Sequence, residues 1–417
     1  MSETRATRWL AWCLFGNALF LPVSIALSEP LAYAAAPLIL WLAWHRDLPS
    51  DGRNPYRWPM LAFVLVAALS MFWSIRPGLT AGKLDRFLLL GVVLALPLMG
   101  RRERAGGVDW AGRLVLLFLI GASLQALMDV VVIPWSYLHA TSAHDALVKA
   151  GELSRRARRP TLFDMGNMRD PQMYMVSLSL LAGWWLYRRR DVVTRWWWAA
   201  AVLNTAAFLL HFKRGAWLAF LASSAVMAVA ARRRRMLLVL LLAAAGALAV
   251  PQVRARLQLL QEEFRVQTGG RFALWTQIAP RMWEEHPLGL GWKAARHEDF
   301  TRYEVRLQPK LNHLHNNLMQ VRLELGWAGL AVWIFWMGLA GVVMWRTFRV
   351  FMSQGGPWAG LSYGVLGGFL ALQLNGLVEY NFGDSEIFML LNFLLGLSAL
   401  AWLEARPGSP PAAGPAS

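Results

Sequence analysis

Apolar residues in this chain gather into long runs separated by short polar and charged clusters. The runs lie near residues 9–27, 31–45, 58–74, 86–100, 111–133, 171–187, 196–211, 215–231, 236–250, 318–345, 358–378 and 386–403. Crossing about 30 Å of hydrocarbon takes roughly twenty apolar residues, so the pattern predicts about twelve transmembrane segments, some of them short. Backbone N–H and C=O groups cannot go unpaired in lipid, so these segments are expected to be helices. The predicted fold class is an all-α polytopic membrane protein.

The polar interruptions carry the topology. Arg5/Arg8, His45/Arg46, Arg101/Arg102/Arg104, Arg188–Arg190, Arg232–Arg235, Arg346/Arg349 and Arg406 fall on alternate connections. With twelve spans they all lie on one side, which the positive-inside rule makes cytoplasmic, with both termini inside. The first apolar run follows Arg5 and Arg8 as a signal peptide would, but it lacks a clear small-residue cleavage site and is read as a retained helix. Two outer connections are long, 134–170 and 251–316. The second is too long for a bare loop and should carry helices of its own. Gln258–Phe264 and Phe272–Ala279 have helical apolar spacing, and His286-Pro-Leu-Gly-Leu-Gly291 reads as a turn or loop. The expected organisation is one transmembrane domain over 1–405, with a basic outer loop at 134–170 and a large outer loop at 251–316. A Pro- and Gly-rich cytoplasmic tail at 406–417 is expected to be disordered.

Composition fits this frame. The 417 residues are 57% hydrophobic and 16% charged, with mean hydropathy +0.37, more apolar than a soluble domain requires. Of 23 tryptophans, many stand at the edges of apolar runs (Trp9, Trp44, Trp58, Trp73, Trp196, Trp358, Trp402), as in an interfacial belt. The net charge of +17 would suit nucleic acid, but its placement between apolar runs argues against that partner. The single cysteine, Cys13, excludes an intramolecular disulfide framework or a cysteine metal site.

Some cations break the topology rule. Arg155, Arg156, Arg158 and Arg159 lie in the first long outer loop, Lys213 and Arg214 in a tight outer turn, and Arg254, Arg256, Arg265, Arg271 and Arg281 in the second outer segment. An arginine near the bilayer is costly unless it is paired or snorkels to lipid phosphates. Guanidinium also offers planar, always-charged donors suited to phosphate oxygens, so Arg214 and Arg271 are candidates for a pyrophosphate clamp. The 155–159 cluster suits acceptor or lipid phosphates.

His313-Leu-His315-Asn316 stands where the second outer segment meets a long apolar run. Imidazole titrates near neutrality and can take a proton from an attacking sugar hydroxyl. No His-Glu-x-x-His or Asp-x-Asp accompanies it, and the pairs Glu262/Glu263, Glu284/Glu285 and Glu298/Asp299 read as solvated faces; no metal or other cofactor is expected. Gly326 and Gly329, further along the same run, would allow close helix packing.

These residues resemble the O-antigen ligase family. Its pattern is His, then Asn, Ser or Gln, nine residues, Gly, two residues, then Gly, Thr or Tyr. His315-Asn316, Asn317–Leu325 and Gly326-Trp-Ala-Gly329 match it throughout. Lys213-Arg214-Gly215-Ala216 is similar to the family's Arg-Gly turn, with Lys213 where a small hydroxyl residue is usual. Gly270-Arg271 through Pro287-Leu-Gly-Leu-Gly291 resembles the stretch that precedes the family's catalytic histidine.

The resemblance implies a lipid-dependent membrane glycosyltransferase-like fold in a bacterial inner membrane, with the 1–405 domain catalytic and the outer loops at 134–170 and 251–316 periplasmic. It implies transfer of O-polysaccharide from undecaprenyl pyrophosphate to lipid A–core on the periplasmic face, without a metal. By that analogy His315 is the base, and Arg214 and Arg271 hold the pyrophosphate, with Lys213 and Arg265 beside them. His313 orients the acceptor or is itself the base; the spacing does not decide. An O-antigen polymerase and a protein O-oligosaccharyltransferase share the motif and are the nearest alternatives. A transporter for the lipid-linked glycan is the alternative of another class.

Overall fold

The computed structural model describes residues 3–44, 54–103, 110–138, 170–187, 194–211, 213–249, 270–303 and 312–405, with 251, 254 and 258 as isolated positions. Arg155, Arg156, Arg158, Arg159, Arg265, Glu262/Glu263, most of Gln258–Phe264 and the tail from Arg406 lie outside the described residues.

The described architecture is all helical. Each apolar run coincides with a helix: α1 (Glu3–Phe20), α2 (Ile25–Trp44), α3 (Arg57–Leu69), α4 (Gly91–Glu103), α5 (Trp110–Leu138), α6 (Asp170–Tyr187), α7 (Thr194–Leu210), α8 (Arg214–Ala230), α9 (Arg234–Ala249), then, beyond α10 (Ala279–Glu285), α11 (Asn317–Gln354), α12 (Gly356–Asn375) and α13 (Ser385–Glu404). Among the described residues, four helical stretches are long and apolar enough to cross a membrane: Ile25–Leu42, Trp110–Pro134, Asn317–Gln354 and Ser385–Glu404. Arg57–Phe72 and Arg214–Ala230 are shorter apolar helices.

The bundle is built on close backbone approaches. α12 runs along α6 with Gly364 so near the Leu180 backbone that a Cβ there would stand 2.7 Å from its Cα, and Gly367 and Gly368 face Ser179 and Val176. Small residues let two helices approach where lipid tails compete with side chains for contact. α13 is the central helix, buried along nearly its whole length, and it packs against α4, α11 and α12. One apolar core joins these helices. A second, smaller core of Leu274, Ile278, Met282, Leu290, Phe300, Leu314 and Leu323 belongs to a helical cap at one end of the bundle.

That cap comes from the long segment before α11. Arg271–Ala273, a π-helical turn over Leu274–Ile278 and α10 form a continuous helical stretch, so the expectation of helices in this segment holds for its described part. Of the Glu298/Asp299 pair, Glu298 is exposed as expected, and Asp299 is not. Asp299 is buried, caps the short helix His297–Thr301 and takes Arg76 through both carboxylate oxygens, at 2.8 and 3.0 Å.

Candidate active site

The start of α11 is set by Asn316. Its Oδ1 accepts the Met319 N–H at 3.1 Å, an N-cap bond, while its Nδ2 donates to the Leu377 carbonyl at 2.8 Å. Asn317 continues the stitch: its N–H donates to the Gly376 carbonyl at 2.7 Å, its Nδ2 to Asn381 Oδ1 at 2.6 Å, and its Oδ1 accepts the Phe382 N–H at 3.1 Å. Two adjacent asparagines thereby hold the connection between α12 and α13 against the first turn of α11.

The product of that stitch is a pair of side chains 64 residues apart in sequence. His315 Nδ1 lies 2.8 Å from Glu379 Oε1, and Arg271 Nη2 donates to Glu379 Oε2 at 3.2 Å. His315 adopts a left-handed backbone conformation, φ 50°, which a residue with a Cβ rarely takes; such strain persists where neighbours over-determine it, and often at functional sites. Here Trp275 Nε1 to the Leu314 carbonyl (2.7 Å) and the Leu314 N–H to Gln320 Oε1 (2.8 Å) fix the residue before it.

Burial would raise the Glu379 carboxyl, but the His315 hydrogen bond and the nearby charges of His315, Arg271 and Lys213 outweigh it and bring it down to about 2. Glu379 is therefore an ionised acceptor and a poor base. His313 is different. Burial, then the proximity of His315, lowers it to about 3, and its Nδ1 accepts the His315 N–H at 3.2 Å. Its ring lies 4.1 Å from that of His315 and 5.6 Å from Tyr380.

The turn between α7 and α8 reaches the same place. A Cβ on Gly215 would stand 2.9 Å from Val378 Cγ2, so the first turn of α8, which begins at Arg214, abuts the residue before Glu379. The structure thus brings Lys213, Arg214, Arg271, His313 and His315 to one end of the bundle.

The glycines of the motif do something other than ease helix packing. Gly326 interrupts α11 with φ 65° and ψ −163°, a conformation open to glycine at little cost. The break frees carbonyls of the preceding turn, and the Pro287–Gly291 loop takes them: the Leu290 N–H donates to Leu323 O and the Gly291 N–H to Glu324 O, each at 2.8 Å. A Cβ at Gly326 would meet the Leu288 carbonyl carbon at 2.9 Å, and one at Gly289 the Glu324 oxygen at 2.5 Å. Two sequence stretches, each noted for its own pattern, are thus two halves of one junction beneath His315.

Behind the histidines lies a buried polar cluster. Glu324 accepts from Gln320 Nε2 (2.9 Å), the Lys293 N–H (3.1 Å) and Tyr380 Oη (3.3 Å). Lys293 also has a positive φ, 58°, and its ammonium donates to Gly383 O at 2.6 Å and stands 4.5 Å from the centre of the Tyr380 ring.

His313, His315 and Glu379 offer three ligand atoms within 4.8 Å of one another, a count that suits a metal ion. Their surroundings suit an anion better. Arg271 already occupies Glu379 Oε2, and Lys213 lies close enough to lower the carboxyl further. A cation would meet like charges on two sides.

The family model described as O-antigen ligase matches residues 199–334. Over that part the chain is similar to an O-antigen ligase domain. The match contains Lys213, Arg214, Arg271, His313, His315, Asn316, Gly326 and Gly329, and leaves Glu379 outside. Members of this family are glycosyltransferase-like ligases or polymerases, acting in general on lipid-linked glycans and lipid A–core, and the apolar helices agree with a membrane protein. No curated protein matches the chain.

Glu379 is the site residue that the sequence motifs do not mark. A signal was available: an imidazole acting as a base wants a carboxylate on its other nitrogen, and Glu379 is an acid in a short connection on the same side of the expected topology as the outer arginines.

Proposed function

We propose that this protein is an O-antigen ligase that moves a glycan from undecaprenyl pyrophosphate to lipid A–core at the periplasmic end of its helical bundle, in the inner membrane, without a metal. The observation that carries the reading is the chain His315–Glu379–Arg271, which joins a proton acceptor to a phosphate ligand through one carboxylate.

In this mechanism Glu379 accepts from His315 Nδ1–H and so presents Nε2 with its lone pair outward. The acceptor hydroxyl gives its proton to Nε2 as its oxygen attacks the anomeric carbon. The bond from that carbon to the diphosphate oxygen breaks, its electron pair leaves with the diphosphate, and the anomeric centre inverts. Arg214, Arg271 and Lys213 stabilise the charge growing on the leaving group, and Arg265 is assigned to the same diphosphate. Arg271 has donors enough to hold Glu379 and a phosphate oxygen together. Ionised Glu379 then steadies the imidazolium, as the carboxylate does in a Ser-His-Asp triad. His313, half-buried and already accepting the His315 N–H, serves as a support rather than the base. Arg155, Arg156, Arg158 and Arg159 are assigned to phosphates of the acceptor or of lipid.

The sidedness rests on helix direction. α8, α11 and α13 begin at the site end, while Arg232–Arg235, Arg346 and Arg349 fall at or near the opposite end of α8 and α11, as positive-inside topology requires.

The test is reconstituted transfer with purified protein, the lipid-diphosphate glycan and lipid A–core. Transfer lost in His315→Ala and in Arg214→Ala with melting unchanged, and indifferent to chelator, is the expected result. Transfer to a second glycan donor or to a protein instead would make the chain a polymerase or an oligosaccharyltransferase; loss with chelator restored by a divalent ion would remove the metal-free mechanism.

A further inference from the structure

A second buried ionisable cluster lies inside the bundle, and the chemistry above makes no use of it. Asp129, on α5, is fully buried. Its Oδ2 accepts from Tyr174 Oη of α6 at 2.6 Å and lies 2.8 Å from His211 Nε2, directly after α7; its Oδ1 accepts from Gln125 Nε2 at 3.1 Å. The His211 ring is almost as buried as the carboxylate and lies 5.9 Å from the Tyr174 ring. A carboxylate among membrane-spanning helices is costly unless partners satisfy it. Here α5, α6 and the residue directly after α7 contribute those partners.

The position of His211 gives the cluster its meaning. Two residues later come Lys213 and Arg214. The start of α8 has further contacts: Trp217 Nε1 donates to the Phe208 carbonyl at 3.2 Å, clasping α8 to α7, and Gly215 abuts Val378. The Asp129–His211 contact ties the turn to α5 and α6 rather than to its immediate neighbours.

We propose that Asp129, supported by Tyr174 and Gln125, positions the Lys213–Arg214 turn by gripping His211, and thereby sets the affinity for the donor diphosphate. The inference rests on Arg214 being a diphosphate ligand. Asp129 and His211 are positioning residues, which touch no substrate. A guanidinium displaced by about 1 Å loses its geometry against phosphate oxygens without the helices unfolding.

The experiment measures binding of undecaprenyl pyrophosphate, without glycan, to the full chain in nanodiscs, recording affinity and the number of binding-competent molecules separately. Asp129→Asn and His211→Leu should bind about tenfold more weakly at an unchanged number of sites. His211→Gln, which keeps an N–H to donate to Asp129, should remain within about threefold of wild type. Tyr174→Phe deletes one hydroxyl and reports on the same anchor should Asp129→Asn fail to fold; about fivefold weaker binding is expected. Wild-type affinity in all of these variants, with binding lost in Arg214→Ala, would overturn the positioning role and leave the proposed function standing. So would fewer sites at unchanged affinity, the sign of a merely structural cluster. Wild-type binding in Arg214→Ala would overturn the diphosphate reading, and the anchor with it.

Discussion

Replacing Glu379 with glutamine keeps the shape of the side chain and removes its charge, which separates two effects joined in the wild type. His315 Nδ1 and Glu379 Oε1 are 2.8 Å apart with about a quarter of each side chain exposed. Two unit charges at that distance attract by about 6 kcal/mol at an effective dielectric near 20, and solvent screening at the exposed edge brings this to about 3 kcal/mol. The carboxyl shift has the same sign: His315 is the largest of the influences that lower it to about 2 from 4.5, with Arg271 and Lys213 adding to it. An imidazolium forming at His315 in the transition state loses that support in Glu379→Gln, so kcat should fall about a hundredfold. The donor should not bind more weakly, because Arg271 is freed from its carboxylate for the diphosphate. Single-turnover transfer in nanodiscs, with donor concentration varied, reads both quantities. A fall in kcat below about fivefold, or a loss confined to donor KM, would refute the role given to Glu379.

Three further outcomes are expected. Gly326→Ala should cost about 2–3 kcal/mol, because φ 65° and a Cβ 2.9 Å from Leu288 both resist it, whereas Gly338→Ala, with nothing within 4 Å, should be neutral or stabilising by up to about 1 kcal/mol; thermal melting of the two variants in one detergent checks the contrast. Asn317→Ala removes the bonds to Asn381 and Phe382 and should cost about 2 kcal/mol while lowering transfer, measured by melting and by rate at matched folded fraction. Acid should destabilise the fold in two windows. His313 stays neutral when folded and protonates when unfolded, so stability is lost as pH falls from its ordinary 6.5 towards about 3; the Glu379 contribution is full above 4.5 and lost towards about 2. Melting temperature against pH should lose the first of these windows in His313→Asn.

The helical positions and the histidine motif were legible in the sequence because each depends on local pattern: a run of apolar residues, or a fixed spacing such as His315-Asn316 to Gly326. Contacts that close over long separations were not. Glu379 reaches His315 only because Asn316 and Asn317 bind the backbone at 376, 377 and 382, and no periodicity in either segment encodes that meeting. The break at Gly326 was hidden for a related reason. Apolar residues continue on both sides of it, so the run reads as one straight helix until the Pro287–Gly291 loop is seen to take its freed carbonyls. Asp129 likewise reads as a stray polar residue near a span end until α6 and α7 deliver Tyr174 and His211 to it.

The most direct test is a cryo-electron microscopy structure of the full chain bound to an unreactive undecaprenyl-diphosphate sugar in the presence of chelator. The account predicts the diphosphate between Arg214 and Arg271, and the anomeric carbon on the Nε2 side of His315, with Glu379 on Nδ1. A diphosphate seated elsewhere, or held away from both arginines, would contradict it.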